Sequence, residues 1–356
     1  MTHTTRTLST LFATAAATVA ALAGAGATLA IVDGQPVRPA DYPYFTVVGA
    51  GCGGTLIAPK RVLTAAHCRE AVDTRPVVRV GPDGVRRRVV LRAIHPLHVR
   101  ELAKMEREFP PPAADLMLLA LDRPVSGVPL ARIATPGDGL TAPGTGAFAI
   151  GRGATASDGG GAGPLRGGAV EIQAPSRCAD QLPTRLLRRW SLCTRDPRMD
   201  DPTFPGPFVS ACVGDSGSPL LAGDGDRPLV VGVVSWGPRC GEERDPELYA
   251  NAVVGRRFAL ARRPIWAPAT RGRPWIAGRV AVGATVRCAV RWLVRPTRQL
   301  RFSFVLDGRQ IQSSRRARLR LRAAHAGGRL SCDVTGATAG GRVGTPLSRA
   351  RRVAAG

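Results

Sequence analysis

Residues 211–220 read ACVGDSGSPL, and the interpretation of the whole chain depends on this stretch. Its Ser216 stands between an aspartate and a glycine. On its own the string Gly-Asp-Ser-Gly is ordinary turn chemistry, because glycine and aspartate both favour tight turns. Ser216 becomes a nucleophile only if the chain also supplies a base for its proton and a carboxylate that orients that base.

Length and composition are those of a folded protein large enough for two domains. The chain has 356 residues, and its hydrophobic content of 44% permits a real core and argues against global disorder. Eight cysteines, an even number, are typical of four disulfides if the chain is exported. The net charge is +24, and lysine occurs only at Lys60 and Lys104. This excess of arginine is typical of a GC-rich bacterial genome as much as of a function.

Residues 1–30 have the pattern of a secretory signal peptide. One charge, Arg6, precedes a soft apolar run over residues 11–22, and small residues follow it. Cleavage after Ala30 would make Ile31 the N-terminal residue, whereas cleavage after Ala27 would leave residues 28–30 as a three-residue propeptide. Both alternatives stay open. Because the run is poor in Leu and Ile, a signal peptide is favoured over a membrane anchor. We therefore expect secretion, no membrane span, and an oxidising environment in which disulfides persist.

The stretch from residue 31 to residue 265 predicts an all-β fold of sandwich or barrel type. Short apolar runs of strand length alternate with Gly and Pro turn signals, as in YFTVVGAG (44–51), LMLLAL (116–121) and LVVGVVSWG (229–237). Helical periodicity is scarce, and the one good helix prediction covers GRRFALARRPIWA (255–267).

A change in composition near residue 267 predicts a second domain over residues 268–356. Pro, Gly and Arg cluster at the boundary, and the segment beyond it holds 19 arginines against two acids, a formal charge of +17. Its string SRRARLRLRAA (314–324) alternates strictly, with arginines on one side and Leu or Ala on the other. That period of two predicts a β-strand, so this domain is also expected to be all-β.

The first part of the chain supplies a candidate base and a candidate orienting carboxylate for a nucleophilic serine. His67 follows an apolar strand in CGGTLIAPKRVLTAAHC (52–68), and a disulfide closing that loop would hold it at a rigid strand end, contributing about 3 kcal/mol. Asp115 opens the apolar strand DLMLLALDRPV (115–125), where burial would let it fix the tautomer of an imidazole. Asp122, at the far end of that strand, has the surroundings of a solvated turn.

These motifs, in this order, resemble those of the trypsin/chymotrypsin family of serine proteases. The resemblance extends from residue 31 to about residue 265 and lies in IVDG (31–34), LTAAHC (63–68), ADLMLLALDRPV (114–125), CVGDSGSPL (212–220) and VVSWG (233–237). It implies two six-stranded antiparallel β-barrels with the active site in the cleft between them. The expected domains are a signal peptide over 1–30, a protease domain over 31–267 and a basic domain over 268–356.

The resemblance implies a catalytic role for each motif residue. Ser216 would attack the scissile carbonyl, with His67 as general base and then general acid and Asp115 orienting His67. The backbone N–H groups of Gly214 and Ser216 would form the oxyanion hole. Neither a cofactor nor a metal is implied.

Substrate binding and activation are implied in the same way. The backbone of Ser235, Trp236 and Gly237 would pair with the substrate as an added strand.

Activation depends on the N-terminus of the protease domain. After cleavage before Ile31, the new ammonium group of Ile31 would insert and pair with Asp215. Because a buried charge tolerates no missing partner, any residue left before Ile31 should hold the enzyme inactive.

The resemblance also implies the pairing of the cysteines. The family pattern gives Cys52–Cys68, Cys178–Cys193 and Cys212–Cys240, and Cys288 and Cys332 are left for the second domain.

The primary specificity pocket departs from the trypsin pattern. Ser210 takes the position at the pocket base where trypsins carry an aspartate, which is closer to the chymotrypsin-like pattern. However, aligning Tyr249 with the family's tyrosine puts Glu247 at a pocket-wall position where glycine usually stands. A carboxylate that enters from this side wall resembles that of cathepsin G, which accepts both aromatic and basic residues. We expect a P1 preference for large aromatic or aliphatic residues with Lys and Arg tolerated. The alternatives are that Glu247 points to solvent or that the alignment slips by one residue.

The segment 268–356 resembles an immunoglobulin-like β-sandwich. Cys288 and Cys332 lie 44 residues apart and Trp292 follows the first, as in a sandwich whose disulfide joins two sheets beside a tryptophan. Leu330 stands where the pattern has a tyrosine. The charge of +17 predicts docking to an anionic cell-wall polymer or glycan, with cell-wall association as a consequence. A merely solubilising arginine surface is the alternative.

The sequence thus predicts a secreted, monomeric serine endopeptidase that acts on proteins and peptides. A catalytically silent binding or adhesion protein on the same scaffold is disfavoured, because His67, Asp115 and Ser216 are all present. A nucleic-acid-binding protein is disfavoured too, because aromatic residues make up only 5% of the chain and no stacking motif occurs.

Overall fold

The computed structural model describes residues 31–103, 113–154, 163–179, 184–223, 227–237, 240–241 and 246–356. The signal-peptide prediction for residues 1–30 and its two cleavage sites lie outside these ranges. Within them, no helix is both long enough and apolar enough to cross a bilayer.

Strands make up most of the regular structure in these ranges, as the turn-punctuated sequence predicts. The strands are β1 (Gln35–Pro36), β2 (Phe45–Val48), β3 (Cys52–Ala58), β4 (Arg61–Thr64), β5 (Val77–Val80), β6 (Val85–Ile94), β7 (Met117–Leu121), β8 (Gly146–Gly151), β9 (Arg166–Gln173), β10 (Ser191–Arg195), β11 (Pro219–Ala222), β12 (Leu229–Trp236), β13 (Glu247–Asn251), β14 (Ala269–Thr270), β15 (Trp275–Ala277), β16 (Thr285–Ala289), β17 (Trp292–Val294), β18 (Arg298–Leu306), β19 (Arg309–Ser314), β20 (Arg318–Arg320), β21 (Arg329–Thr338), β22 (Gly341–Gly344) and β23 (Arg351–Arg352). The α-helices are α1 (Arg69–Thr74), α2 (Pro96–Leu102), α3 (Arg185–Trp190) and α4 (Arg256–Ala259).

Strands β2 to β7 form a closed antiparallel barrel in the order β2-β3-β4-β7-β6-β5. Leu56, Val62 and Leu118 are fully buried in its core. Nearly every side chain of β7 is buried, which explains why its sequence, MLLAL, is continuously apolar instead of alternating. Closure leaves no free sheet edge in this barrel.

A second closed antiparallel barrel has the order β9-β10-β13-β12-β11-β8, and the pairing of β8 with β9 closes it. Strand β1 pairs with β9 outside this ring. Ile172, Leu220 and Tyr249 are buried in its core. The chain therefore contains two six-stranded antiparallel barrels, and the predicted fold class is confirmed.

The C-terminal region, residues 268–356, contains further sheets and a hydrophobic core of its own. Strands β15-β16-β20 form one sheet, β19-β18-β21-β22 form another to which β23 adds by pairing with β21, and β14 pairs with β17. Ile276, Phe304 and Val334 are buried in the shared core, and the Cys288–Cys332 disulfide joins β16 to β21. The boundary at residue 268 and the immunoglobulin-like assignment stay predictions.

The predicted arginine strand is present, whereas the predicted helix over 255–267 is wrong in length. Strand β20 lies within the alternating string, with Leu319 and Leu321 buried and the arginines beside them exposed. Helix α4 ends at Ala259, and the Ala267 N–H instead donates to the Arg92 carbonyl of β6 at 2.7 Å. Pro264 ends helical pairing in between, because it lacks an N–H and disfavours helical geometry in the residue before it.

The C-terminal region also contacts the first barrel. The Ile94 N–H at the end of β6 donates to the Gly340 carbonyl at 2.9 Å, and the Thr338 hydroxyl donates to the Trp266 carbonyl at 2.7 Å. A Cβ atom on Gly340 would overlap the Ile265 carbonyl oxygen, so only glycine permits this approach. The β21–β22 hairpin is thus packed against the barrel.

Candidate active site

His67 and Asp115 meet because the strands that carry them are neighbours. His67 lies three residues after β4, Asp115 lies two residues before β7, and Thr64 of β4 is the cross-strand partner of Met117 of β7. The His67 ring Nδ1 lies 2.7 Å from Asp115 Oδ2, and the His67 backbone N–H donates to Oδ1 at 2.9 Å. One carboxylate therefore holds both the ring and the main chain of the histidine.

Asp115 is buried yet held in its ionised form. Burial by itself raises the pKa of the carboxyl, but attraction to His67 and hydrogen bonds from His67 and Ser235 lower it well below its ordinary value. Burial opposes charge on His67, whereas the Asp115 carboxylate favours it, and the net effect raises the His67 pKa. The pair is therefore suited to stabilise an imidazolium.

Two contacts of Asp115 were not predicted from the sequence. The Ser235 hydroxyl donates to Asp115 Oδ2 at 2.7 Å, although Ser235 was expected to act only through its backbone. The ring of His98, in α2, is buried with Nδ1 3.9 Å from Asp115 Oδ1. No local signal announces either contact, because each depends on how the barrels close.

Ser216 lies in a turn that is tied to the His67 segment and to the second barrel. The Ser216 carbonyl accepts from Gly53 N–H at 2.8 Å and lies 3.5 Å from the sulfur of Cys68, the residue after His67. The Gly217 N–H donates to Val234 at 2.9 Å. The Ser216 turn is thus held both against Cys68, the neighbour of His67, and against β12 of the second barrel.

The glycines around Ser216 are required by the geometry of the turn. Gly214 and Gly217 have φ values of +94° and +84°, which side chains other than glycine rarely adopt. A Cβ on Gly217 would also overlap Thr64 Oγ1 at 2.3 Å. Within the described part of the chain, neither the Gly214 N–H nor the Ser216 N–H has a protein acceptor, whereas the Asp215 N–H donates to the Cys212 carbonyl at 2.9 Å.

Asp215 is fully buried beside Ile31. Its Oδ2 accepts from the Ile31 nitrogen at 3.4 Å and from Cys212 N–H at 3.0 Å, while its Oδ1 accepts from Gly153 N–H at 2.7 Å. Burial raises the pKa of Asp215 to about 6 despite these hydrogen bonds. Ile31 has φ +47°, a left-handed value that is strained for a β-branched residue.

A cavity of about 180 Å³ adjoins Ser216. Its walls include residues 211–213, 234–237 and 247–249. The predicted substrate-binding residues Ser235, Trp236 and Gly237 therefore line it, at the end of β12.

Glu247 belongs to this cavity and does not point to solvent. The carboxylate is buried, its Oε1 accepts a hydrogen bond from the Ser210 hydroxyl, and its Oε2 accepts one from the Tyr249 hydroxyl at 3.0 Å. Burial raises the pKa of Glu247 to about 7, although hydrogen bonds from Ser210, the Ala211 backbone and Tyr249 act in the opposite direction. The carboxylate of Glu247 therefore titrates near neutrality.

The eight cysteines form four disulfides, which are Cys52–Cys68, Cys178–Cys193, Cys212–Cys240 and Cys288–Cys332. The first adjoins His67, and the third joins two residues that both line the cavity. A trypsin-like fold with several disulfides is typical of secreted proteases, because such bonds persist in oxidising compartments.

Known proteins that are similar in sequence to this chain over more than half of its length include proteases. A human protein described as transmembrane protease serine 5 is 30% identical over 239 residues, covering 62% of this chain and 49% of its own length. This chain thus spans about half of that relative. Trypsin epsilon of Drosophila erecta is 30% identical over 208 residues, covering 56% of this chain and 73% of its own length. A trypsin-like protease of Streptomyces glaucescens is 26% identical over 270 residues, with coverages of 70% and 94%.

A solved structure supports the fold. It is neuropsin, a serine protease expressed in the limbic system of mouse brain, which matches with a TM-score of 0.51 and 21% identity over 64% of this chain and 96% of that one. The family model described as Trypsin matches residues 31–254, more than half of the chain. The chain therefore belongs to the trypsin family of serine proteases.

Proposed function

We propose that this chain is a secreted serine endopeptidase that hydrolyses peptide bonds through an acyl-enzyme. The observation that carries the proposal is the pair of hydrogen bonds from His67 to the buried Asp115, with the Ser216 carbonyl held 3.5 Å from the sulfur of the adjacent Cys68. Because Nδ1 is engaged by the carboxylate, Nε2 of the neutral ring is left as the acceptor for a serine proton. A silent scaffold would need no such arrangement.

In the proposed mechanism His67 takes the proton of Ser216 as its Oγ attacks the substrate carbonyl. Asp115 stays ionised, because its pKa lies well below the ordinary value, and it stabilises the imidazolium that forms. His67 then gives the proton to the leaving amine, which breaks the peptide bond and leaves an acyl ester on Ser216. Water, deprotonated by His67, hydrolyses that ester and restores the enzyme.

The proposed oxyanion hole consists of the Gly214 and Ser216 N–H groups. Both lack protein acceptors in the described part of the chain, so they are available to an oxygen that gains charge during the attack. The cavity-lining backbone of Ser235, Trp236 and Gly237 is proposed to pair with the substrate as an added strand.

The proposed P1 preference is for large aromatic or aliphatic residues, with Lys and Arg accepted through Glu247. The described lining also includes Ala211, Val213, Val234, Trp236 and Leu248, whose apolar side chains suit an aromatic or aliphatic P1 residue. When ionised, Glu247 gives the pocket a negative charge that a P1 ammonium or guanidinium can neutralise.

We expect the choice between basic and aromatic P1 residues to depend on pH. Glu247 is neutral below its pKa of about 7 and charged above it, so the ratio of kcat/KM for P1 Lys to that for P1 Phe should rise about tenfold from pH 6 to pH 8. His67 titration cancels in this ratio, because both substrates use the same base. The test is to measure kcat/KM for both substrates over this pH range. In Glu247→Gln the ratio should be lower and should not change with pH. An unchanged ratio in the variant would refute the role of Glu247.

Activation is proposed to follow exposure of Ile31 as the N-terminus. An ammonium at this position would give the buried Asp215 a charged partner, and cutting the preceding peptide bond would remove the φ constraint that strains Ile31. We expect protein that begins at Thr28 to be inactive on peptides and to gain activity when residues 28–30 are removed. N-terminal sequencing beside the assay checks this. Asp215→Asn should stay inactive in both forms, and equal activity of the two wild-type forms would contradict the proposal.

We further propose that residues 268–356 form an accessory domain that docks the monomeric enzyme to an anionic cell-wall polymer or glycan. The support is the charge of +17 in this segment, which attracts polyanions at long range. The predicted signal peptide would deliver both domains to the cell exterior.

The experiment that tests the protease function is a panel of peptides that differ at P1, assayed with processed protein. We expect cleavage of the preferred peptides. With an activated ester of the preferred residue we expect a burst of the first product equal to one per enzyme, because acylation by such an ester is faster than deacylation. The absence of cleavage by protein that begins at Ile31 would favour the silent scaffold.

A further inference from the structure

One face of the sheet β15-β16-β20 is built from arginine. Leu319 and Leu321 are buried in the C-terminal core, so the residues that alternate with them lie on the opposite, exposed face. We name the exposed arginines of β16 and of the stretch around β20 the arginine face; they are Arg287, Arg316, Arg318, Arg320 and Arg322.

Backbone pairing places these arginines side by side. Arg287 is the direct cross-strand partner of Arg318. Hydrogen bonds from Cys288 N–H to Ala317 at 2.8 Å and from Leu321 N–H to Ala284 at 2.9 Å continue the ladder on both sides of that pair. Directly opposed residues share a face with their Cβ atoms about 5 Å apart, and like charges in this arrangement destabilise a sheet.

No carboxylate among the described residues relieves this repulsion. The acids of the C-terminal region are Asp307, in the turn between β18 and β19, which accepts the Arg329 N–H, and Asp333, which lies on β21; neither lies on the sheet of the arginine face. The ion pairs between described residues all lie N-terminal to residue 201. The rule that like charges are not placed directly opposite one another in a sheet is therefore broken here without a compensating acid. Such a violation is expected at a functional surface.

We propose that the arginine face binds an extended polyol-phosphate chain of the poly(glycerol phosphate) type. The inference rests on the anionic partner proposed above and names its chemistry. Alternate residues of a strand are separated by six backbone bonds, about 6.6 Å. Six bonds also separate successive phosphorus atoms in a glycerol-phosphate chain. Successive phosphates can therefore meet successive guanidinium groups, whose planar fork fits phosphate oxygens.

The same face is poorly suited to single-stranded nucleic acid. Binding of that class relies on aromatic rings on which successive bases stack. In the described strands of this sheet the one aromatic residue is Trp275, and the Arg291 guanidinium lies over its ring, 5.7 Å from the centroid. These strands therefore offer one exposed ring, already contacted by Arg291, and no row of rings on which successive bases could stack.

The test is binding of fluorescein-labelled poly(glycerol phosphate) to the full chain carrying Ser216→Ala, measured by anisotropy between 50 and 200 mM NaCl. The face variant carries Arg287→Gln, Arg316→Gln, Arg318→Gln and Arg320→Gln. The control variant loses the same charge from exposed positions of the other sheet, through Arg298→Gln, Arg301→Gln, Arg309→Gln and Arg329→Gln.

We expect the face variant to raise Kd about 30-fold and the control variant less than about threefold. The slope of log Kd against log salt should fall by about 3 in the face variant, because each lost phosphate contact removes about 0.7. Should the fourfold variant melt early, Arg318→Gln alone should still lower the slope by about 0.7.

Three outcomes would overturn the inference. Equal weakening by both variants would leave net charge as the only determinant. Failure of the parent protein to bind would refute the inference and would leave protection of the edge strand β20 from pairing with other chains as the remaining explanation of the arginines. Much tighter binding of duplex DNA than of the polyol phosphate would assign the face to nucleic acid. None of these outcomes bears on the protease proposal, because the binding assay needs no catalysis and the peptide panel tests catalysis separately.

Discussion

Ser216→Ala should lower kcat on the best peptide of the panel by a factor on the order of 10⁶. The variant keeps the cleft, the pocket and the N–H groups of Gly214 and Ser216, but it has no Oγ to form the acyl ester. Residual cleavage should remain on the order of 10³ above the uncatalysed rate, because the oxyanion donors and the binding surfaces persist. The burst expected with an activated ester substrate should also vanish, because no acyl-enzyme can form.

Ser218→Ala is the matched control for this substitution. Ser218 lies two residues further along the same string, is fully buried, and its hydroxyl has no hydrogen-bond partner among the described residues. Removing that hydroxyl should leave kcat within about threefold, because no satisfied polar contact is lost. Activity retained by Ser216→Ala would exclude Ser216 as the nucleophile.

Asp115→Asn should lower kcat by a factor on the order of 10⁴. The carboxylate of Asp115 accepts from both the ring and the backbone of His67, whereas an amide can donate to Nδ1 and stabilise the wrong tautomer. Loss of the negative charge should also lower the His67 pKa, because that charge is what raises it above its ordinary value. Kinetics and NMR titration of the imidazole measure the two effects separately.

Asp122→Asn is the control for charge removal in the same segment. Asp122 lies just beyond the other end of β7, where it accepts hydrogen bonds from the backbone of Arg88 and Arg123. Its replacement should leave kcat and the His67 pKa unchanged. An Asp115→Asn variant with wild-type kcat and an unshifted His67 titration would show that Asp115 does not orient the base.

The strands were predictable because their signals are local. The run LMLLAL is apolar throughout because β7 is buried on nearly all sides, and the alternating string at 314–324 reports the exposed and buried faces of β20. The helix over 255–267 was mispredicted although one signal against it, Pro264, is also local. Its apolar spacing is also local, but the main-chain pairing of Ala267 with Arg92 is not.

The sequence by itself determined the all-β class, the order of the motifs and the residue types needed for nucleophilic catalysis. Turns, strand periods and short motifs depend on neighbours a few residues apart, so they can be read from the chain. Only the tertiary structure decided that Ser235 donates to Asp115, that Glu247 is buried against Ser210, and that Arg287 faces Arg318. These partners are separated by 120, 37 and 31 residues in the chain, and their contacts follow from barrel closure and strand register, which no local pattern encodes.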